Sequence, residues 1–153
     1  MSWLNTKLPP LVLLGLLVLA MIFLAPLFPR LAIAPLTRWL VALVLFGAGA
    51  MIVVTAMRTL RRAKTTVHPI HLDQAAVLVT HGIFAYSRNP IYLGMALFLI
   101  ALAVALASPM ALVGAVFFIG YITLFQIRPE EAMLREKFGE AYARYCAAVR
   151  RWV

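Results

Sequence analysis

The polar side chains that could do chemistry in this 153-residue chain are concentrated in two short segments. The first contains Arg88, Asn89 and Tyr92, at the point where an uncharged apolar run begins. The second contains the adjacent carboxylates Glu130 and Glu131, two of only five acidic residues, which follow another apolar run. Carboxylates accept hydrogen bonds from hydroxyl and ammonium groups, and a guanidinium donates to carboxylates. The two segments therefore indicate a binding site for a polar or cationic ligand.

Each segment also has a purely structural interpretation. Arg88 is typical of a side chain that anchors a helix at a membrane interface, and Tyr92 is typical of an interfacial aromatic belt. Glu130 and Glu131 would each stabilise a helix N-terminus by about 0.3–1 kcal/mol. The residues themselves leave both interpretations open.

The amino-acid composition indicates what kind of protein carries these polar residues. Hydrophobic residues make up 65% of the chain and charged residues 12%, and the mean hydropathy is +0.98. A soluble domain carries about 25% charged residues, so a soluble enzyme, a disordered chain and a disulfide scaffold are excluded. The single cysteine, Cys146, has no partner for an internal disulfide. The chain is predicted to be an integral membrane protein.

The basic residues that give the net charge of +9 are expected to lie in loops, which argues against a nucleic-acid-binding surface. Residues 8–57 contain only Arg30 and Arg38 as charges, and residues 89–127 contain none. The other basic residues lie mainly between and after these blocks, which is the positive-inside pattern of cytoplasmic loops. We therefore expect a multi-pass protein of the inner (cytoplasmic) membrane with both termini in the cytoplasm, and no nucleic-acid partner.

The apolar runs predict an all-α fold with four membrane spans and one amphipathic helix. The spans cover about residues 8–28, 31–57, 91–107 and 110–127, since a span needs about 20 apolar residues. The first is expected to be a retained helix and not a signal peptide, because Pro35 would hinder cleavage after Ala34. The amphipathic C-terminal helix covers 129–149 and begins at Pro129. Its apolar face contains Leu134, Phe138, Ala141, Tyr145 and Val149.

Two further features follow from the same pattern. Glycines inside the spans are expected to allow close contact between helices; they are Gly47, Gly49, Gly94, Gly114 and Gly120. The linker, residues 64–89, contains His68, His71 and Asp73, whose loose spacing favours solvation over a metal site. We predict no bound metal and a single domain, 1–153, in which the linker and the last helix form the functional site.

The two polar segments match a known pattern. Residues 78–94, which read LVTHGIFAYSRNPIYLG, resemble the first signature of the isoprenylcysteine carboxyl methyltransferase family. The later Glu130-Glu131-x-x-Leu134-x-x-x-Phe138-Gly139-x-x-Tyr142-x-x-Tyr145 resembles its second signature, which phospholipid methyltransferases share in part. The resemblance covers residues 65–149, and the first two spans match only in being apolar.

This resemblance implies a membrane methyltransferase that uses S-adenosylmethionine and methylates a lipophilic or membrane-delivered acceptor, such as an isoprenylcysteine-type carboxylate, a lipid amine or a thiol. It implies catalytic roles for Arg88 and Glu131 and a substrate contact for Arg128. Phe84 replaces a tyrosine of the family, and Asn89 replaces a histidine of its eukaryotic members. The implied cofactor-binding residues are Leu78, Val79, Phe84, Arg88, Asn89, Pro90, Tyr92 and Glu130.

Two other classes stay open from the residues. Membrane sterol reductases are similar in their C-terminal helices but use NADPH. A small transporter or a non-catalytic membrane scaffold is the third class, although proton-coupled transporters usually place an acid within a span and this chain places none there. His81, next to the motif glycine, is a less favoured general base.

Overall fold

The structure, a computed structural model, describes residues 8–63 and 77–153. Every regular element in these two ranges is helical. His68, His71 and Asp73, for which solvation was favoured over a metal site, lie outside the described residues. The five α-helices are α1 (Pro10–Leu24), α2 (Pro35–Arg62), α3 (Pro90–Ala105), α4 (Pro109–Ile122) and α5 (Arg128–Ala148). A 3₁₀ turn, Ala25–Leu27, extends α1, another covers Gly82–Ala85, and a π-helical turn, Thr123–Ile127, joins α4 to α5.

Proline marks the start of each of the first four helices. Pro10, Pro35, Pro90 and Pro109 occupy the first turn, where the missing N–H would have no helical partner in any case. The side chain of Ser108 caps α4 by accepting a hydrogen bond from the Ala111 amide at 3.3 Å. The sequence therefore sets these helix starts locally.

Within residues 8–63 and 77–153, three helices are long and apolar enough to cross a membrane. They are Pro10–Leu27, Pro35–Arg62 and the continuous helix Pro109–Ala148. The fourth predicted span corresponds to α3, which has 16 residues and is about 24 Å long, shorter than the hydrocarbon core. A crossing by α3 stays a prediction.

The fourth predicted span and the predicted C-terminal helix are joined without a loop. Helix α4 continues through the π-helical turn into α5 as one helical run of 40 residues, which is kinked at Gly139. An α-helical turn would press the ring of Pro129 against the carbonyl of Phe125. The wider turn, closed by a hydrogen bond from the Arg128 amide to the Thr123 carbonyl, accommodates the proline without ending the helix.

The predicted apolar face of α5 is correct apart from one position. Gly139 adopts φ +50° and ψ −124° inside α5, a conformation that favours glycine. This kink changes the direction of the residues that follow. Tyr142 is buried, at 1% exposure, whereas the predicted Ala141 is exposed.

Close helix contact at glycine is confirmed for three of the five predicted positions. A methyl group at Gly49 of α2 would lie 2.9 Å from the carbonyl oxygen of Gly94 in α3, and one at Gly114 would lie 2.9 Å from a methionine of α1. The prediction is wrong for Gly47 and Gly120, which have no such neighbour within 4 Å. Both lie on helix faces that no other described element covers.

The main hydrophobic core lies between α1, α3 and α4. Its fully buried members include Leu99, Phe118, Ile122 and Ile127. Tyr92, at the beginning of α3, belongs to the same core. The core therefore fixes the starts of α3 and α5, where the polar motif residues are located.

Candidate active site

Glu130 is held in a buried position between the beginnings of α3 and α5. Its exposure is 9%. The Tyr92 hydroxyl donates a hydrogen bond of 2.7 Å to its Oε1, and the Gln126 amide Nε2 donates to the same oxygen. No hydrogen bond from the described residues ends on Oε2. Burial of an unpaired carboxylate is costly, and these two donors to Oε1 offset part of that cost.

Glu131 is bound by two guanidinium groups. Arg151 donates from Nε to Oε1 at 3.0 Å and from Nη2 to Oε2 at 2.8 Å, which is a bidentate pairing. Arg88 approaches through Nη2, at 3.3 Å from Oε1. The hydrogen bond to Glu131 raises the pKa of Arg151. Glu131 therefore binds two cations, and its single negative charge cannot neutralise both guanidinium groups.

Arg88 connects the start of α3 to the end of the chain. Besides its contact with Glu131, its Nη1 donates to the Sγ atom of Cys146. Its backbone amide donates to the carbonyl of Arg150 at 3.1 Å. The Nε atom is buried and has no hydrogen-bond partner among the described residues. An unpaired buried donor is unfavourable, so the guanidinium of Arg88 is not fully satisfied by the described residues.

Asn89 binds the same C-terminal segment. Its side-chain Nδ2 donates to the carbonyl of Arg151 at 2.9 Å, and its backbone amide donates to the Ser87 hydroxyl at 3.2 Å. An amide side chain therefore has a clear structural role at this position.

The segment that precedes Arg88 packs against α5 as well. The Tyr145 hydroxyl donates to the Phe84 carbonyl at 2.7 Å. Leu78 packs on the cluster that contains Tyr142 and Tyr145, and Val79 is buried in a second cluster with Phe84. The residues before α3 are thus attached to the last helix at several points.

The structure places most of the predicted site residues together. Arg88, Asn89, Tyr92, Glu130 and Glu131 belong to two adjacent hydrogen-bonded groups at the α3 and α5 starts. Pro90 is buried at the first position of α3. Leu78, Val79 and Phe84 belong to the segment that precedes α3 and packs against α5 or α2. The predicted substrate residue Arg128 and the predicted alternative base His81 are both exposed, and neither is among the described residues that hydrogen-bond or ion-pair with Glu130 or Glu131.

Sequence reasoning missed two residues of the site. Gln126 is 3% exposed and carried a usable signal, because it is a polar residue in an uncharged apolar run and precedes Glu130 by four positions. Arg151 carried no such signal, because it follows the helix end and lies 20 residues from its partner Glu131.

Comparison with known proteins tests the family suggested by the motifs. The family model described as phospholipid methyltransferase matches residues 37–141. The chain belongs to this family. That result confirms the relationship inferred from the two signatures, and the apolar helices are those of a membrane protein.

Individual relatives agree with the family match. The chain is 44% identical over 62 residues to an uncharacterized protein of Haemophilus influenzae, which covers 40% of this chain and 98% of that protein. It is 31% identical over 109 residues to a probable protein-S-isoprenylcysteine O-methyltransferase of Oryza sativa subsp. indica, and 29% identical over 107 residues to protein-S-isoprenylcysteine O-methyltransferase A of Arabidopsis thaliana. These two matches cover 71% and 70% of this chain. The chain spans about half the length of the two plant proteins, 57% and 54%. No solved structure matches the chain.

Proposed function

We propose that this protein is a membrane methyltransferase that uses S-adenosylmethionine and acts on a lipophilic or membrane-delivered acceptor. Family membership supports methyl transfer. The observation that carries the proposal is the meeting of the two motif halves: Tyr92 binds Glu130, and Arg88 binds Glu131, across about forty residues of sequence. A scaffold has no need for such a buried polar arrangement.

The polar groups of the site fit S-adenosylmethionine. Oε2 of Glu130 is suited to accept from ribose hydroxyls or from the ammonium group of the cofactor, and the guanidinium of Arg88 is suited to donate to its carboxylate. Leu78, Val79 and Phe84 supply an apolar wall for the remainder. When bound, the cofactor supplies an electrophilic methyl group on its sulfonium.

The contribution of the chain is binding and orientation. Methyl transfer is an in-line displacement, which depends on holding donor and acceptor in line and needs no covalent nucleophile. Tyr92 and Gln126 keep the Glu130 carboxylate in one orientation, and Arg88 and Arg151 do the same for Glu131. These four side chains preorganise the two carboxylates before any ligand arrives.

The acceptor is proposed to reach the site from the bilayer. Apolar side chains of α4 such as Val113, Val116 and Phe117 are exposed, which suits contact with lipid and with a lipophilic acceptor. A carboxylate or thiolate acceptor would need no strong base, whereas an amine would first lose a proton. Identification of the methylated product distinguishes these acceptor classes.

Calorimetry with the detergent-purified protein tests the cofactor. We expect S-adenosylmethionine and its demethylated product, S-adenosylhomocysteine, to bind, and NADPH not to bind. Labelled methyl transfer in membranes should then give a labelled lipophilic product. NADPH binding of equal or greater strength would overturn the proposal in favour of a sterol-type reductase.

We also propose that both termini lie in the cytoplasm, which requires α3 to complete a fourth crossing. The charge distribution supports this topology. Single cysteines introduced as Ser2→Cys and Val153→Cys in a Cys146→Ser background should react with a membrane-impermeant reagent from the same side. Labelling from opposite sides would contradict four crossings.

A further inference from the structure

The last residues of the chain fold back onto the start of α3. Helix α5 ends at Ala148, and Val149 is extended with φ −126° and ψ 131°. The next two carbonyl groups both accept hydrogen bonds from the motif: that of Arg150 from the Arg88 amide, and that of Arg151 from the Asn89 side chain. We refer to residues 149–152 as the C-terminal strap.

Two side chains of the C-terminal strap strengthen this attachment. Arg151 forms the bidentate pair with Glu131, and Trp152 packs against the main hydrophobic core. The C-terminal strap is therefore attached through backbone, charge and apolar contacts at once, and each attachment involves α3, α5 or the core between them. A loosely associated chain end would not combine all three.

Because Glu131 binds two arginines, Arg88 is paired with it only in part. Arg151 occupies both oxygens of Glu131, whereas Arg88 makes one longer contact of 3.3 Å. Without Arg151, the guanidinium of Arg88 would be free to form its own bidentate pair with Glu131. Arg151 thus prevents Glu131 from neutralising Arg88 fully, and the buried Nε of Arg88 stays unpaired.

We propose that the C-terminal strap completes the active site and that Arg151 is a positioning residue, which holds Glu131 so that Arg88 can bind the carboxylate of a ligand. The part that concerns the ligand rests on the proposed use of S-adenosylmethionine. The attachment of the strap does not rest on it. Arg151 acts through Glu131 and Arg88 and is not itself the ligand contact.

Backbone hydrogen exchange tests the attachment of the C-terminal strap. In the full-length protein in detergent, Arg151→Ala should accelerate exchange of the Arg88 amide about 10-fold, because its acceptor is the Arg150 carbonyl. Arg144→Ala, which removes an exposed arginine of α5, is the matched control and should leave this exchange unchanged. Equal exchange rates of the Arg88 amide in both variants and the wild type would contradict the attachment of the C-terminal strap.

Ligand affinity tests the positioning role. Arg151→Ala should weaken binding of S-adenosylhomocysteine about 10-fold, and Arg151→Lys should give an intermediate loss because lysine lacks the paired donors. Binding of 5′-methylthioadenosine, which lacks the carboxylate, should not change. A general loss of packing would weaken both ligands, and that equal weakening would overturn the positioning role.

The exchange and affinity measurements together distinguish a failure of this inference from a failure of the proposed function. If the wild type binds no S-adenosylhomocysteine, the proposed function and the positioning role fail together, and the exchange measurement still decides the strap. If the wild type binds it and Arg151→Ala binds it equally well, the positioning role alone is overturned. If Arg151→Ala does not fold, Arg151→Lys carries the same comparisons, with smaller changes.

Discussion

The helices α1 and α2 differ sharply from the region that runs from α3 to the end of the chain. Large apolar side chains such as Phe23, Leu36 and Val44 are exposed on α1 and α2, as expected for helices that face lipid. The later region also exposes apolar side chains on α4, but it contains most of the buried core and concentrates the side-chain hydrogen bonds around Glu130 and Glu131. Compatibility with lipid requires only apolar character, whereas a polar site requires particular side chains at particular distances. The two regions should therefore respond differently to substitution.

The largest effect is expected at Glu130. Glu130→Gln keeps the size of the side chain and removes its charge, so a charge-assisted contact to the cofactor is lost. We expect a cost of about 1.5–3 kcal/mol, which is about 10- to 150-fold in the affinity for S-adenosylhomocysteine measured by calorimetry. Glu136→Gln, at an exposed position of the same helix, is the control and should bind normally. Normal affinity and turnover in a correctly folded Glu130→Gln protein would contradict the role assigned to this carboxylate.

An intermediate effect is expected at Gly49, where α2 packs closely against α3. A methyl group in Gly49→Ala would lie 2.9 Å from both the Gly94 carbonyl oxygen and the Phe98 ring. Overpacking of this kind costs about 1–3 kcal/mol, measured as a lower free energy of unfolding in detergent.

The neighbouring glycine of the same helix provides the control for this substitution. Gly47→Ala meets no neighbouring atom within 4 Å and should be neutral or stabilising by about 0.5–1 kcal/mol, because alanine favours the helix. Equal destabilisation by both substitutions would mean that the helix itself, and not its contact with α3, is affected.

The smallest effect is expected at the contact between α5 and the turn before α3. Tyr145→Phe removes the hydrogen bond to the Phe84 carbonyl and should lower the free energy of unfolding by about 0.5–1.5 kcal/mol. Tyr86→Phe serves as the control, since Tyr86 is 76% exposed and should show no change. If the two variants unfolded alike, the hydroxyl of Tyr145 would contribute nothing to the docking of α5.

Several features of the fold could be predicted because they depend on neighbouring residues. The starts of α3 at Pro90 and of α4 at Pro109 lie one residue from the predicted span starts and follow from the fixed φ of proline and its missing donor. The predicted span limits agree with the helices to within about four residues, apart from the end of α2, which extends to Arg62, and the end of the fourth span, which continues into α5. Apolar side chains favour the membrane and backbone hydrogen bonds favour the helix at each of these positions, so distant contacts were not needed.

Other features could not be predicted because they depend on geometry across elements. The same rule that locates helix starts failed at Pro129, where a π-helical turn carries the helix past the proline. Gly47 and Gly49 have identical side chains and neighbouring positions, yet only Gly49 meets α3. A composition rule cannot distinguish two faces of one helix until its partner is in place.

The sequence by itself determined that the chain is helical, that it belongs to a membrane and which motif residues are candidates for its chemistry, because hydropathy, proline geometry and residue type act locally. Only the tertiary structure decided the partners of those residues. It paired Glu130 with Gln126 and Tyr92, left Arg128 exposed, and brought Arg151 back to Glu131. Hydrogen bonds are directional and act over about 3 Å, so the partner of a buried polar atom is determined by how the helices pack.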